Sequence, residues 1–144
     1  GRGAARRIAQ RSPAVCPPIP EIDMHKNPQA GSRTERIAIL NDRCRQGLDR
    51  GSRTVITRNC LARLAGEGGL VAELLAQAAI MAAVRGASFD RDSPERDMGS
   101  ITVREVKILF KIDYYDENLE FGSEDPADAA KTTRVLTIML PEDY

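Results

Sequence analysis

The clearest pattern along the chain is an alternation of apolar and mostly polar positions over residues 106–115. The apolar set is Val106, Ile108, Phe110, Ile112 and Tyr114. Because successive side chains of a strand point to opposite faces, this pattern predicts a strand with one buried face. A shorter alternation over residues 101–104 predicts a preceding strand that forms a hairpin with it. The apolar run 134–140 predicts a central strand covered on both sides.

The first half of the chain shows helical spacing instead. Ile37, Leu40, Cys44 and Leu48 recur at intervals of three and four residues after Thr34, which we expect to cap the helix. A β-branched run over residues 53–57 predicts a short strand, and Asn59 is the expected N-cap of a short helix after it.

Residues 70–85 form the most helical segment. They are rich in Leu and Ala and apolar on nearly every side, which predicts the central buried helix, ended by Gly86. The elements together predict an α+β fold, with N-terminal helices and one central buried helix packed on a small, mainly antiparallel C-terminal sheet.

The N-terminal segment has a different composition. Five of the eight prolines fall within residues 13–28, so we expect residues 1–33 to form a disordered or extended tail and residues 34–144 a single domain. The chain begins with Gly1 and its first methionine is Met24, so we hypothesise that residues 1–23 are upstream-frame sequence.

Composition narrows the class of protein. The chain has 144 residues, 42% apolar and 29% charged, which is typical of one globular domain. Its three cysteines are far apart, which favours free thiols in a reducing compartment. No secretory signal is visible, and the longest apolar segment, residues 70–84, is shorter than the ~20 residues that cross a bilayer. We therefore expect a cytoplasmic protein without membrane contact.

The net charge of zero hides an asymmetry between the two halves. Residues 1–60 carry 12 basic and 5 acidic side chains, whereas residues 61–144 carry 9 basic and 16 acidic ones. This split is compatible with a basic arm for nucleic acid, with an acidic face for a basic partner, or simply with a solvated surface.

Acidic residues are densest after the long strand. We assign partner binding to Asp113, Tyr115, Asp116, Glu117 and Glu120. An anionic surface of this kind can resemble a phosphate backbone to a DNA-binding protein, and the exposed Tyr115 would anchor the partner. Lys111 and Arg134 are expected to form ion pairs with these carboxylates, Lys111 with Asp113 and Arg134 with Asp113 or Asp116 across the sheet. A solvated acidic turn and a Mg²⁺ or Ca²⁺ site are the alternatives.

No complete catalytic motif is present. The single histidine, His25, lies in the tail, and the glycines at 66, 68 and 69 lack the Lys-Ser/Thr of a phosphate loop. Glu105 and Lys107 match half of a metal-dependent nuclease motif, with Asp97, Asp113 or Asp116 as further carboxylates. We therefore predict no catalytic residue, cofactor or metal, and keep a nuclease or toxin-like enzyme as an alternative.

Three segments carry a resemblance: residues 36–42 (RIAILND), 111–116 (KIDYYD) and 119–144. They resemble an uncharacterised bacterial domain-of-unknown-function family, found mainly in alphaproteobacteria on plasmids and other mobile elements. The likeness covers residues 34–144. This chain departs from the family pattern at Arg104-Glu105, where an Asp-Gly turn is usual, and we expect a looser hairpin there. Leu109-Phe110 and the loop 86–98 also differ from that pattern.

The resemblance and the charge layout together predict the function. We expect a small non-enzymatic accessory protein of bacterial mobile elements that binds a protein partner through the acidic C-terminal surface, with counter-defence inhibition as one such role. A nucleic-acid-binding protein that uses the basic N-terminal half is the third alternative.

Overall fold

The computed structural model describes residues 31–89 and 91–144. The predicted tail therefore lies outside the described residues, except for positions 31–33. The same holds for the segment hypothesised to be upstream-frame sequence, and for Cys16 and His25. The described elements, in chain order, are α1 (Arg33–Arg45), β1 (Arg53–Ile56), α2 (Arg58–Ala65), α3 (Gly69–Arg85), β2 (Met98–Val103), β3 (Val106–Tyr115) and β4 (Thr133–Met139), with short 3-10 turns at Ala129–Lys131 and Pro141–Asp143. The predicted α+β class is confirmed.

The four strands form one mixed sheet in the order β1-β4-β3-β2. The β2–β3 and β3–β4 pairs are antiparallel and the β1–β4 pair is parallel, so the sheet is mainly antiparallel. Residues paired across neighbouring strands share a face of the sheet. The register sets Phe110 opposite both Gly99 and Ile138, and Tyr114 opposite Arg134.

The core lies on one face of this sheet. The alternate positions Ile108, Phe110 and Ile112 are buried, and they form one cluster with Leu136, Ile138 and residues of all three helices. Because α1, α2 and α3 all contribute to that cluster, they pack on the same face. The interleaved positions, which include Lys107, Lys111 and Asp113, lie on the opposite face.

Helix α3 packs on the sheet but is not buried on every side. Its buried positions are Ala76, Ile80 and Val84, which are four residues apart and form one stripe. Four large aliphatic side chains at the N-terminal half are 56–69% exposed, namely Leu70, Val71, Leu74 and Leu75. The prediction that this helix is buried on nearly every side was wrong for its outward-facing side chains. Among the described residues, the sheet covers the helix from one side only.

Neither residue that the sequence predicted as a helix cap, Thr34 or Asn59, lies at the cap position of its helix. Helix α1 begins at Arg33, so Thr34 lies inside it, and α2 is capped by Thr57, whose hydroxyl oxygen accepts a hydrogen bond from the Cys60 amide at 3.2 Å. Leu48, placed on the apolar stripe of α1 by its spacing, lies beyond the helix end and is exposed. No single helix in residues 31–89 and 91–144 is long and apolar enough to cross a membrane.

The hairpin between β2 and β3 is tight rather than loose. Val103 and Val106 pair directly, so the turn consists of Arg104 and Glu105 alone. Their φ angles are +51° and +69°, in the left-handed region that both central positions of a type I′ turn require. Two L-residues with long side chains therefore occupy positions that favour Asn, Asp and Gly.

Replacing Arg104 by Asp together with Glu105 by Gly is expected to stabilise the fold. Relief of the left-handed strain should raise the free energy of unfolding by roughly 1–2 kcal/mol, on the order of 5 °C in Tm by thermal denaturation. The variant gives up only an exposed 3.3 Å hydrogen bond from Arg104 to the Leu64 carbonyl. Glu105→Ala keeps an L-residue at positive φ and should give no gain; an equal gain for Ala and Gly would contradict this account.

Candidate functional site

The acidic loop, defined as residues 116–128, follows β3 and has a fixed local shape. The Asp116 carboxylate oxygen Oδ1 accepts backbone hydrogen bonds from Asn118 at 3.1 Å and from Glu120 at 3.0 Å. The Asp116 amide donates to the Phe121 carbonyl at 2.8 Å, and Leu119 between them has φ +61°. Asp116 therefore shapes the loop, while Glu117 and Glu120 are exposed.

An exposed aromatic ring lies among these carboxylates. Phe121 is 71% exposed. It lines a shallow groove of about 520 Å³ together with Asp116, Glu117, Asn118, Gly122, Glu124 and Lys131. The next residue, Gly122, forms an isolated bridge with Tyr115. Phe121 was not among the predicted partner-binding residues, although the sequence places it within the acidic segment that follows the long strand.

The far half of the acidic loop is held by its own carboxylates. Asp125 Oδ1 accepts from the Ala127 amide at 3.2 Å and contacts Arg33 at 3.2 Å, which ties the loop to α1. Asp128 Oδ1 accepts from the Ala130 amide at 2.9 Å, and the Thr132 hydroxyl donates to the Asp125 carbonyl at 2.9 Å. Asp125 and Asp128 are therefore engaged locally.

The predicted partner-binding residues fall on two separate surfaces. Asp113 and Tyr115 lie on the face of the sheet opposite the described helices, whereas Asp116, Glu117 and Glu120 lie in the acidic loop. Asp113 forms an ion pair with Lys111, with 2.7 Å between Oδ2 and Nζ, and this hydrogen bond raises the pKa of the Lys111 ammonium. Tyr115 is half-buried, so Phe121 is the more accessible ring.

Arg134 does not pair with Asp113 or Asp116, so that expectation was wrong. The register sets Arg134 opposite Tyr114, and Asp113 opposite Val135. Arg134 therefore lies on the core face, where it is 1% exposed, and Asp113 lies on the other face of the sheet. The two strands are neighbours, as predicted, but the sequence does not specify their register, and the register decides which face of the sheet a side chain lies on.

A buried polar network surrounds Arg134. Its Nε donates to Asn41 Oδ1 at 2.7 Å, and its guanidinium carbon lies 5.1 Å from the centre of the Tyr114 ring. Asn41 Nδ2 donates to the Tyr114 hydroxyl at 2.8 Å and to the Glu95 carbonyl at 2.9 Å, and the Tyr114 hydroxyl donates to Glu95 Oε1 at 2.8 Å. Burial raises the pKa of Tyr114 and lowers that of Arg134.

A second set of charged side chains lies beside this network. Asp42 accepts a bidentate pair of hydrogen bonds from Arg96, with Oδ2 2.7 Å from Nη2 and Oδ1 2.9 Å from Nε. Asp42 Oδ1 also accepts a hydrogen bond from Arg45 Nη2 at 2.8 Å. The hydrogen bond to Asp42 raises the pKa of Arg96. Arg45 Nη1 donates to the Val84 and Arg85 carbonyls at the end of α3. These contacts join α1 to α3 and to the loop before β2.

The network supports the acidic loop. Arg134 Nη2 donates to the Pro126 carbonyl at 2.6 Å, so the buried contacts continue into that loop. Each segment on which the family resemblance rests contributes one member: Asn41, Tyr114 and Arg134. Every member has polar partners and is at least partly buried, so the network holds the acidic loop in position from the core side.

The residues of the nuclease alternative are not brought together. Glu105 lies in the hairpin turn at one end of β3, whereas Asp113 and Asp116 lie near its other end, roughly 25 Å away at about 3.3 Å per residue. Within the described part of the chain, no group of three or more His, Cys, Asp or Glu residues is placed to hold a metal ion. The nucleic-acid alternative draws on the arginines of residues 2–58, and four of these arginines, those within residues 2–11, lie outside the described residues.

Comparison with known proteins identifies the family. The family model described as "Protein of unknown function (DUF3768)" matches residues 66–143, from the turn before α3 to the last 3-10 turn. No curated protein and no solved structure matches the chain. Since the match covers just over half of the chain and includes three of the four strands and the acidic loop, the protein belongs to the DUF3768 family of proteins of unknown function.

Proposed function

We propose that the protein is a non-enzymatic binding protein that engages a basic partner protein through the acidic loop. The observation that carries the proposal is Phe121, an aromatic ring 71% exposed in a groove with the carboxylates of Asp116, Glu117 and Glu124. Aromatic side chains are frequent binding hot spots, since one ring supplies a large apolar contact at a low entropic cost. Surrounding carboxylates select a basic partner and speed its association.

The fixed shape of the loop supports this function. Asp116 organises residues 118–121, and Arg134 holds the Pro126 carbonyl from the buried side. A loop ordered before binding loses less conformational entropy in a complex than a mobile one. Asp116 therefore contributes mainly by shaping the groove, and Glu117 and Glu120 contribute charge.

The partner class follows from the same chemistry. The exposed carboxylates of Glu117, Glu120 and Glu124 suit the phosphate-binding surface of a nucleic-acid-binding protein, with Phe121 entering an apolar pocket on it. The resemblance to a family found on bacterial mobile elements supports an accessory role for this protein, including inhibition of a host defence protein. The buried thiols of Cys44 and Cys60 are free, which supports action in the reducing cytoplasm.

A comparative pull-down tests this proposal. Tagged full-length protein is incubated with nuclease-treated bacterial lysate, and bound proteins are quantified by mass spectrometry. We expect a stoichiometric basic protein that is lost at least tenfold with Phe121→Ala and with Glu117→Lys plus Glu120→Lys. Tyr144→Ala removes another exposed ring, outside the acidic loop, and should leave capture unchanged.

Three results would contradict the proposal. The first is capture that is equal for all variants, and the second is loss of capture with Tyr144→Ala alone. The third is recovery of nucleic acid but no protein when the pull-down is repeated with lysate that has not been treated with nuclease. Asp116 is left intact in these variants because its replacement would unfold the loop as well as change its charge.

A further inference from the structure

The outer face of α3 is an apolar surface without a covering element among the described residues. We define the α3 outer face as Leu70, Val71, Leu74, Leu75, Ala78 and Ala82, all of them exposed. Single exposed leucines are ordinary on protein surfaces, but four large aliphatic side chains within six residues form a contiguous patch. Contiguous patches of this kind mark interfaces.

The spacing of the patch is that of a helix paired with another helix. Val71, Leu74, Ala78 and Arg85 are all exposed and follow one another at intervals of three, four and seven residues. This is the spacing of the contact seam in paired helices. At 100° per residue, Val71, Leu74 and Ala78 point away from the buried stripe of Ala76 and its neighbours, so the seam faces outward.

The side chains change size along this seam, which indicates what covers it. The large residues Leu70, Val71, Leu74 and Leu75 lie in the N-terminal half, and the small residues Ala78 and Ala82 lie in the C-terminal half. A second copy of α3 running in the opposite direction sets large side chains against small ones. Leu74 then lies opposite the partner's Ala78, and Leu70 lies level with the partner's Ala82. The same contacts recur on the other side of a two-fold axis near Ala76, as a self-complementary interface requires.

Charge selects the same orientation. Glu67 lies in the turn just before α3, Arg85 is its last residue, and both are exposed. An antiparallel pair brings Glu67 close to the partner's Arg85 at both ends, whereas a parallel pair would bring like charges together. The two helix dipoles also attract each other when they are antiparallel.

We propose that the protein forms a homodimer in which two α3 outer faces pack antiparallel about a two-fold axis near Ala76. The proposal is independent of the acidic loop, which lies at another surface and stays available to a partner. A helix pair about 25 Å long is a small interface, so we expect dissociation in the micromolar range.

Sedimentation velocity of the full chain between 1 and 200 μM tests the dimer. We expect a concentration-dependent species of twice the 15.8 kDa chain mass. Leu74→Glu, at an exposed helical position that tolerates Glu, should leave only monomer with unchanged circular dichroism. Leu48→Glu, at another exposed leucine outside α3, should leave the dimer intact. A monomer at all concentrations, or a dimer that Leu74→Glu does not affect, would overturn the proposal.

Charge exchange and cross-linking test the orientation. Glu67→Arg or Arg85→Glu alone should weaken the dimer roughly tenfold, since each change affects two symmetric pairs, and the double exchange should restore it. In a Cys16→Ser background, mixed Leu70→Cys and Ala82→Cys chains should cross-link through a short bis-maleimide. Leu70→Cys alone should not, because the two copies of residue 70 are offset by about 18 Å along antiparallel helices. Efficient cross-linking of Leu70→Cys alone would show parallel packing and overturn the antiparallel arrangement.

Discussion

Arg134→Met is expected to lower the free energy of unfolding by about 3–5 kcal/mol, the largest loss that we anticipate for any single substitution. Methionine fills much of the same volume but donates no hydrogen bond. It would leave Asn41 Oδ1 and the Pro126 carbonyl without their donor in a buried region, and it would remove the cation above the Tyr114 ring. Unsatisfied buried acceptors cost about 1–3 kcal/mol each.

Urea denaturation of the full chain measures this effect, and two further variants interpret it. Arg53→Met removes an exposed arginine from the edge strand β1 and should change stability by less than about 0.5 kcal/mol. Arg134→Lys keeps the charge, but its single Nζ cannot occupy the positions of both Nε and Nη2, so it should lose nearly as much as Met. A loss below about 1 kcal/mol for Arg134→Met would show that the network contributes little to stability.

Arg45→Met is expected to destabilise the protein by about 2–4 kcal/mol, because Arg45 closes the C-terminal end of α3. Its side chain is only 5% exposed, and Nη1 lies 3.1 Å from the Val84 carbonyl and 2.8 Å from the Arg85 carbonyl. The guanidinium carbon also lies 5.1 Å from the centre of the Phe89 ring. Methionine would leave the last carbonyls of α3 without this donor and Asp42 with Arg96 as its remaining arginine partner.

Arg43→Met on the same helix is the matched control for this experiment. Arg43 donates to the Leu48 carbonyl at 3.2 Å in an exposed position, so its loss should change the unfolding free energy by less than about 0.5 kcal/mol. Hydrogen exchange adds a local readout: Arg45→Met should raise exchange most in the last turn of α3. Equal destabilisation by both variants would show that helix α1, rather than the end of α3, is the sensitive element.

The two substitutions bear on the loop in different ways. Arg134 contacts both the core network and the Pro126 carbonyl, whereas Arg45 contacts only α1 and α3 partners and the Phe89 ring. Under conditions that keep Arg134→Met folded, hydrogen exchange in the acidic loop should therefore be faster, because the Pro126 carbonyl has lost its donor.

Local patterns in the sequence determined the elements. Alternation over residues 106–115 predicted β3 to the residue, and the apolar run near the C-terminus predicted the internal strand β4. The described helices cover only one face of β4, however, and not both faces as that run predicted. The Leu- and Ala-rich segment predicted α3 to within one residue at its start, and the order of elements predicted the α+β class. These properties depend on intervals of two to four residues, which the sequence displays directly.

Tertiary structure alone decided which side chains meet and which stay exposed. The β3–β4 register sent Arg134 into the core beside Asn41, 93 positions away in sequence, and sent Asp113 to the other face. One-sided packing on the sheet left the α3 outer face exposed, although its composition is that of a buried helix. The turn around Asp116 exposed Phe121 among the carboxylates. Each outcome depends on how distant segments pair, on which face of the sheet they pack and on the direction in which the chain turns. No short-range pattern in the sequence encodes those relations.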